Sequence, residues 1–121
     1  AKKRIMDLTE GGATTVIDYV GAEASIQFGY DLFGFNKNGL YILVGMLGGK
    51  FEVQLPLMTF SSRVLQGSYL GSIQEMEELM DLVRAGKIEP VPVEARHVSM
   101  ANDTIADLKA GNIPGLVCLK H

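Results

Sequence analysis

The longest unbroken apolar run in the chain is Gly39-Leu40-Tyr41-Ile42-Leu43-Val44-Gly45, framed by glycines. A strand with one wet face alternates apolar and polar residues. This run does not, so it predicts a strand buried on both faces. Upstream, Ile5 and Leu8 lie three apart within residues 2–9, a helical spacing that Gly11-Gly12 stops. Ala13–Val20 is rich in β-branched residues and ends at Gly21, which predicts a second strand. Between the two strands, Ala22, Ile26, Tyr30 and Phe33 recur at three- and four-residue spacing, predicting a helix over Ala22–Phe35 packed on a sheet. Glu23 falls in its first turn, where the helix dipole favours negative charge. Gly34 and Asn36-Lys37-Asn38-Gly39 end it. Strand, helix, strand reads as a right-handed crossover joining parallel neighbours.

Beyond the central run, Phe51-Glu52-Val53-Gln54-Leu55 alternates like a strand with one wet face, and Pro56 stops it. Leu57, Phe60 and Ser61 form a short helical connection, and Val64–Gly71 reads as the third main strand. Ser72 and Glu75 have the spacing of a capping box. The apolar stripe Ile73, Met76, Leu79, Met80, Val83 follows, and Gly86 supplies a left-handed stop. Pro90 and Pro92 predict an extended connection that avoids any central strand. A short helix capped by Asn102 or Asp103 runs through Lys109, with Ile105 and Leu108 inward and Gly111 closing it. Gly115–Leu119 is a final strand. The alternation defines an α/β fold with three main parallel strands.

Composition narrows the classes. The 121 residues suit one domain, and an apolar fraction of 47% argues against disorder. A net charge of −3 gives no electrostatic reason to expect nucleic acid or an anionic membrane. Lys2-Lys3-Arg4 reads as a solvated helix end, and the acidic residues Glu75, Glu77, Glu78 and Asp81 as a solvated helix face. No apolar run approaches the ~20 residues that span a bilayer, so a cytoplasmic location is the default expectation. The chain opens on Ala1 rather than methionine. A processed product or a piece of something longer is expected to begin this way.

Candidate chemistry is sparse. Cys118 is the only cysteine and reads as a small buried hydrophobe between Val117 and Leu119. Of the two histidines, His121 is terminal and His97 reads as a surface residue in a loop. No His, Cys, Asp and Glu group has zinc-ligand spacing. The glycine-rich Gly45-Met46-Leu47-Gly48-Gly49 lacks the spacing of a phosphate cradle. It does follow the buried strand, and open parallel sheets bind ligands beyond the carboxyl ends of their strands.

The order of the parts resembles the C-terminal portion of the medium-chain alcohol dehydrogenase family. The resemblance runs through Thr9–Ala13, Val16–Gly21, Gly39–Gly45, Gln66–Ser72, Glu78-Leu79, Gly86–Pro90, Leu108–Gly111 and Pro114-Gly115. It implies strands four to six of a Rossmann-like sheet, followed from about residue 90 by a segment returning to the catalytic domain. It also implies NAD or NADP as cofactor, with Val20, Gly21, Val44, Gly45, Met46, Ser68 and Leu70 lining the nicotinamide side. Zinc would belong to the full-length protein, if it is of the zinc type, with no ligands in this chain. The full protein would pass a hydride between a nicotinamide and an alcohol, aldehyde or ketone, while this chain alone would turn over negligibly. Leu116 stands where the family commonly has an arginine that helps hold the cofactor's phosphates, and leucine donates no hydrogen bond to an anion. Phe51–Leu55 matches the strand that pairs across the two-fold in dimeric members, and Ala13–Val20 would present an open edge. A homo-oligomer through these segments is therefore expected. The alternatives are a zinc-free quinone or enoyl reductase of the same superfamily, and a non-catalytic α/β module docking through the acidic helix 72–85.

Overall fold

Three short strands lie side by side in the order β1 (Thr15–Asp18), β2 (Leu40–Leu43), β3 (Val64–Gly67), all parallel. The structure is a computed structural model that describes residues 1–35 and 38–121. Thr15 faces Leu40, which in turn faces Val64, so the strands start level and their carboxyl ends, Asp18, Leu43 and Gly67, form one edge. The unbroken apolar run is the central strand, as its pattern predicts. α1 (Lys2–Leu8) precedes β1, α2 (Glu23–Tyr30) joins β1 to β2, and α3 (Leu55–Phe60) joins β2 to β3. The predicted α2 is longer than the helix itself, and the Asn36-Lys37 part of its stop lies outside the described residues.

The core forms where α2 lies on this sheet. Ile26 and Tyr30 of α2, with Phe33, pack on Tyr41 of β2, which is fully buried. Tyr30 meets the Phe33 and Phe51 rings edge-on, with centroids 5.7 and 5.1 Å apart. Phe33 meets Tyr41 in the same way at 6.3 Å. Gly29 lets α2 approach, because a side chain there would press on Tyr41 and Val16. The Arg63 guanidinium, just before β3, lies over the Tyr30 ring at 4.8 Å and the Phe33 ring at 5.5 Å. Cation–π attraction partly replaces the water this buried charge has lost.

Phe51–Leu55 corrects one expectation. Phe51 and Val53 do turn inward, half-buried against the core, while Glu52 and Gln54 face out. The alternation is real, but residues 51–54 form no strand, and Leu55 already opens α3. A ladder needs a second backbone, and no described strand pairs with this one. Pro56 sits in the first turn of α3, where its missing N–H is harmless.

The chain divides into two compact units, Ala1–Leu70 and Gly71–His121. The second begins with α4 (Ile73–Arg84), whose Ser72 cap and Glu75 close the predicted capping box. The Glu75 N–H donates to Ser72 Oγ at 3.2 Å and the Ser72 N–H to Glu75 Oε2 at 2.6 Å. The Ser72 N–H and hydroxyl, both donating to Glu75 Oε2, hold this carboxyl below its usual range. Gly86 is left-handed at φ +67°, as predicted. α5 (Ala101–Ala110) ends at Gly111, φ +74°.

Four expectations fail in this unit. A strand follows the prolines: β4 (Val93–His97) pairs in parallel with β5 (Leu116–Lys120). The sequence Val-Glu-Ala-Arg-His does alternate, but its partner is contributed from beyond α5. His97 therefore ends a strand rather than lying in a loop. Asn102 and Asp103 fall inside the first turn of α5, because His97 caps a 3-10 turn, Val98–Met100, that leads into it. Ile105 and Leu108 are exposed and Thr104 is the buried residue of α5. Cys118 is exposed rather than buried. Arg96 ties β4 to α5 through Asp107 at 2.8 Å and pairs with Glu94 on its own strand at 2.8 Å. Gly115 is required, because a side chain there would run into the Pro92 carbonyl.

The Tyr30 hydroxyl is buried with no protein hydrogen-bond partner. An unpaired buried hydroxyl costs ~1–3 kcal/mol. Tyr30→Phe is therefore expected to keep or raise the melting temperature by calorimetry, although it alters the aromatic cluster at the centre of the core.

Candidate functional site at the carboxyl edge

The strand ends meet at two glycines. After β1 the chain turns through Val20 and Gly21, and Gly21 takes φ +67°, a conformation that disfavours any side chain. After β2 it runs through Gly45, whose backbone packs on this turn. A side chain at Gly21 would meet the Gly45 carbonyl, and one at Gly45 would meet the Val20 carbonyl. The two loops then continue side by side. The Val44 and Gly45 N–H groups both donate to the Asp18 carbonyl at 2.9 Å. The Leu47 N–H donates to the Val20 carbonyl at 3.2 Å, and the Gly48 N–H to the Gly21 carbonyl at 2.9 Å. The glycine-rich loop is an extension of parallel pairing past the sheet.

The turn is held by one side chain. Asp18 Oδ1 accepts from the N–H groups of Val20 at 2.8 Å and Gly21 at 3.0 Å. Its Oδ2 accepts from Ser25 Oγ at 2.7 Å and the Tyr41 hydroxyl at 2.8 Å. Burial pushes the Asp18 carboxyl up. The donors from Gly21, Ser25, Tyr41 and Val20 together outweigh it and bring it from 3.8 to about 2. Burial also pushes the Tyr41 phenol up, and the bond to a carboxylate adds to this. In the sequence, Asp18 stands out only as the one charged residue of Ala13–Val20. An aspartate closing a strand three residues before a Gly and seven before a serine is the signal that was available.

Between these loops and the start of α2 lies a cavity of about 440 Å³, within the usual range for small-molecule sites. Ile26, Leu43, Met46 and Phe51 supply its apolar wall, Gly21, Gly45, Gly48 and Gly49 its bare backbone, and Glu23 and Lys50 its charges. Of the residues expected to line a cofactor, Gly21, Gly45 and Met46 border this cavity. Val20 is exposed beside it on the turn. Val44 is half-buried and tied to Asp18. Ser68 lies on the other side of β2, its N–H donating to the Leu43 carbonyl at 2.9 Å. Leu70 is 80% exposed and left-handed at φ +56°, away from the cavity lining.

The chain matches the zinc-binding dehydrogenase family over residues 1–85. It belongs to that family. An NAD-dependent alcohol dehydrogenase of Sulfurisphaera tokodaii is 31% identical over 107 residues, 87% of this chain and 30% of that protein. A D-arabinose 1-dehydrogenase (NADP(+)) of Saccharolobus solfataricus is 30% identical over 95% of this chain and 32% of its own length. The solved alcohol dehydrogenase of Aeropyrum pernix superposes with a TM-score of 0.81 at 30% identity, covering 94% of this chain and 32% of that one. A quinone oxidoreductase of Pseudomonas syringae shares the fold, with TM-score 0.77 at 21% identity over 100% of this chain and 40% of its own. The chain thus spans about a third of the length of these dehydrogenases.

Among the described residues of this zinc-binding dehydrogenase chain, no group of three His, Cys, Asp or Glu could hold a metal ion. No described helix is long and apolar enough to cross a membrane. Leu116 opens β5 and is 59% exposed.

A carboxyl whose folded value lies below its unfolded one stabilises the fold above the unfolded value. That stability fades as pH falls through the folded value. The advantage of the wild-type chain over Asp18→Asn in chemical denaturation is therefore expected to be full above pH 3.8. It should shrink progressively as pH falls toward about 2.

Proposed function

We propose that this chain is the C-terminal half of a dinucleotide-binding domain, with the return segment from about residue 90, in an NAD(P)-dependent alcohol dehydrogenase. The observation that carries the reading is the carboxyl edge, where Gly21 and Gly45 leave backbone bare beside an apolar cavity at the ends of parallel strands. The relatives described above, dehydrogenases dependent on NAD or NADP(+), support the same reading.

The residues fit the nicotinamide end of such a cofactor better than its phosphates. Ile26, Leu43, Met46 and Phe51 offer flat apolar contact, and the loops offer backbone polar groups. Val20, Val44, Ser68 and Leu70 extend this edge along the strand ends. Glu23 in the first turn of α2 opposes a phosphate there, and Leu116 donates nothing to one. The phosphates are to be held by residues outside this chain. A bound nicotinamide gives or takes the hydride, and this chain's part is to shape, orient and dry one wall of its site. Zinc, with its ligands outside these residues, would polarise the oxygen of an alcohol, aldehyde or ketone. The location proposed is cytoplasmic.

The test is the gene's complete reading frame, expressed and assayed by nicotinamide absorbance with alcohols, aldehydes and ketones. Turnover by the complete protein and negligible turnover by residues 1–121 are expected. A complete protein that neither binds nor uses either nicotinamide would overturn the reading.

The outward edge of Phe51–Gln54, which lacks a strand partner among the described residues, is proposed to pair with its copy in a homo-oligomer, with the open edge of β1 as a second contact. Light scattering across micromolar concentrations is expected to give a mass above the monomer. A concentration-independent monomer refutes it.

A further inference from the structure

Asp18 lines no part of the larger cavity, yet both loops that border the cavity hang on it. Its Oδ1 bonds reach the two amides that form the Val20–Gly21 turn. Its Oδ2 bonds reach into α2, through Ser25, and into the central strand, through Tyr41. The Asp18 carbonyl receives the two amides that start the second loop, Val44 and Gly45. One residue therefore sets the position of the first turn against α2, β2 and the second loop.

The four donors come from separate elements and point at one carboxylate. An apolar residue at this place would leave two backbone amides, a serine hydroxyl and a buried phenol to find other partners. Glycine at 21 makes the dependence sharper. Its left-handed backbone is easily adopted and easily lost, since glycine explores more conformations than any other residue. Gly45 packs directly on it, so a shift of the turn moves the cavity wall.

We infer that Asp18 is a positioning residue for the carboxyl-edge site. It touches no ligand and acts by holding the Val20–Gly21 backbone, and through it Gly45, in the geometry the ligand meets. This rests on the reading of the edge as the nicotinamide side of a cofactor site. Asparagine at 18 keeps an oxygen for Val20 and Gly21 and an amide for Ser25 and Tyr41, so it should preserve most of the geometry. Alanine keeps nothing.

The experiment is amide hydrogen exchange, residue by residue, on the 15N-labelled protein expressed from the complete reading frame, followed by titration of that protein with NADH and observation of the same amides. In Asp18→Ala, exchange at Val20 and Gly21 should rise by about tenfold or more, the scale of one lost charge-assisted bond. The Val64 amide, bonded to the Gly39 carbonyl at the opposite end of the sheet, should change far less. Asp18→Asn should restore most of the protection. Val16→Ala, which loosens the core without touching the turn, serves as the stability control and should leave the Val20 and Gly21 amides near wild type. If Asp18→Ala does not fold, the pair Ser25→Ala and Tyr41→Phe decides, each expected to raise exchange at the same two amides. Equal rises at Val64 and at the turn, or no rise at the turn, overturn the inference. The NADH arm is separate: wild-type shifts at Val20, Gly21 and Gly45 support the cofactor reading. If NADH shifts none of these while exchange changes as described, the positioning role stands and the ligand assignment falls.

Discussion

Four hydrogen bonds to one carboxylate organise the working edge of this chain. The Asp18 side chain is 7% exposed, and a buried carboxylate is tolerated only where its lone pairs are occupied. Here both oxygens are occupied twice over, by two backbone amides, a serine and a tyrosine. The tyrosine is the residue at the centre of the core, so the apolar packing of α2 on the sheet and the polar wiring of the edge share one side chain. Tyr41 has an edge-on aromatic neighbour on its ring and a carboxylate at its hydroxyl. The apolar body fixes where the hydroxyl sits, and the hydroxyl fixes where the turn begins.

The close approach of Gly21 and Gly45 depends on that wiring. Two loops leaving adjacent parallel strands diverge unless something holds them, and here the pairing continues past the strands through Leu47 and Gly48. The result is a wall of bare backbone next to apolar side chains, a surface suited to a flat, weakly polar ring. Glu23 at the helix start puts a negative charge on the cavity's rim. The chain spans about a third of the length of its dehydrogenase relatives.

The second unit follows the same construction on a smaller scale. Two parallel strands joined through α5 are held by Arg96, which bonds Glu94 beside it and Asp107 on the helix. These neighbours push Arg96 further into its charged range and both acids below theirs. Because the acids remain substantially exposed, the network orients β4 and α5 more than it stabilises them.

Local rules were enough for much of this. The unbroken apolar run of residues 40–43 specified the central strand, although of its four residues only Tyr41 is buried and the others are half-buried. The Ser72–Glu75 box and the glycines at 86 and 111 specified helix ends because those are contacts within a few residues. The family resemblance pointed to the carboxyl edge of the sheet, where Gly21, Gly45 and Met46 border the cavity. What the chain's order could not decide was pairing. Phe51–Gln54 and Val93–His97 carry the same alternation, yet only the second is a strand, because β5 arrives beside it from beyond a helix. The role of Asp18 was hidden for the same reason, since two of its donors lie seven and twenty-three residues away and meet it only once α2 has folded back onto the sheet.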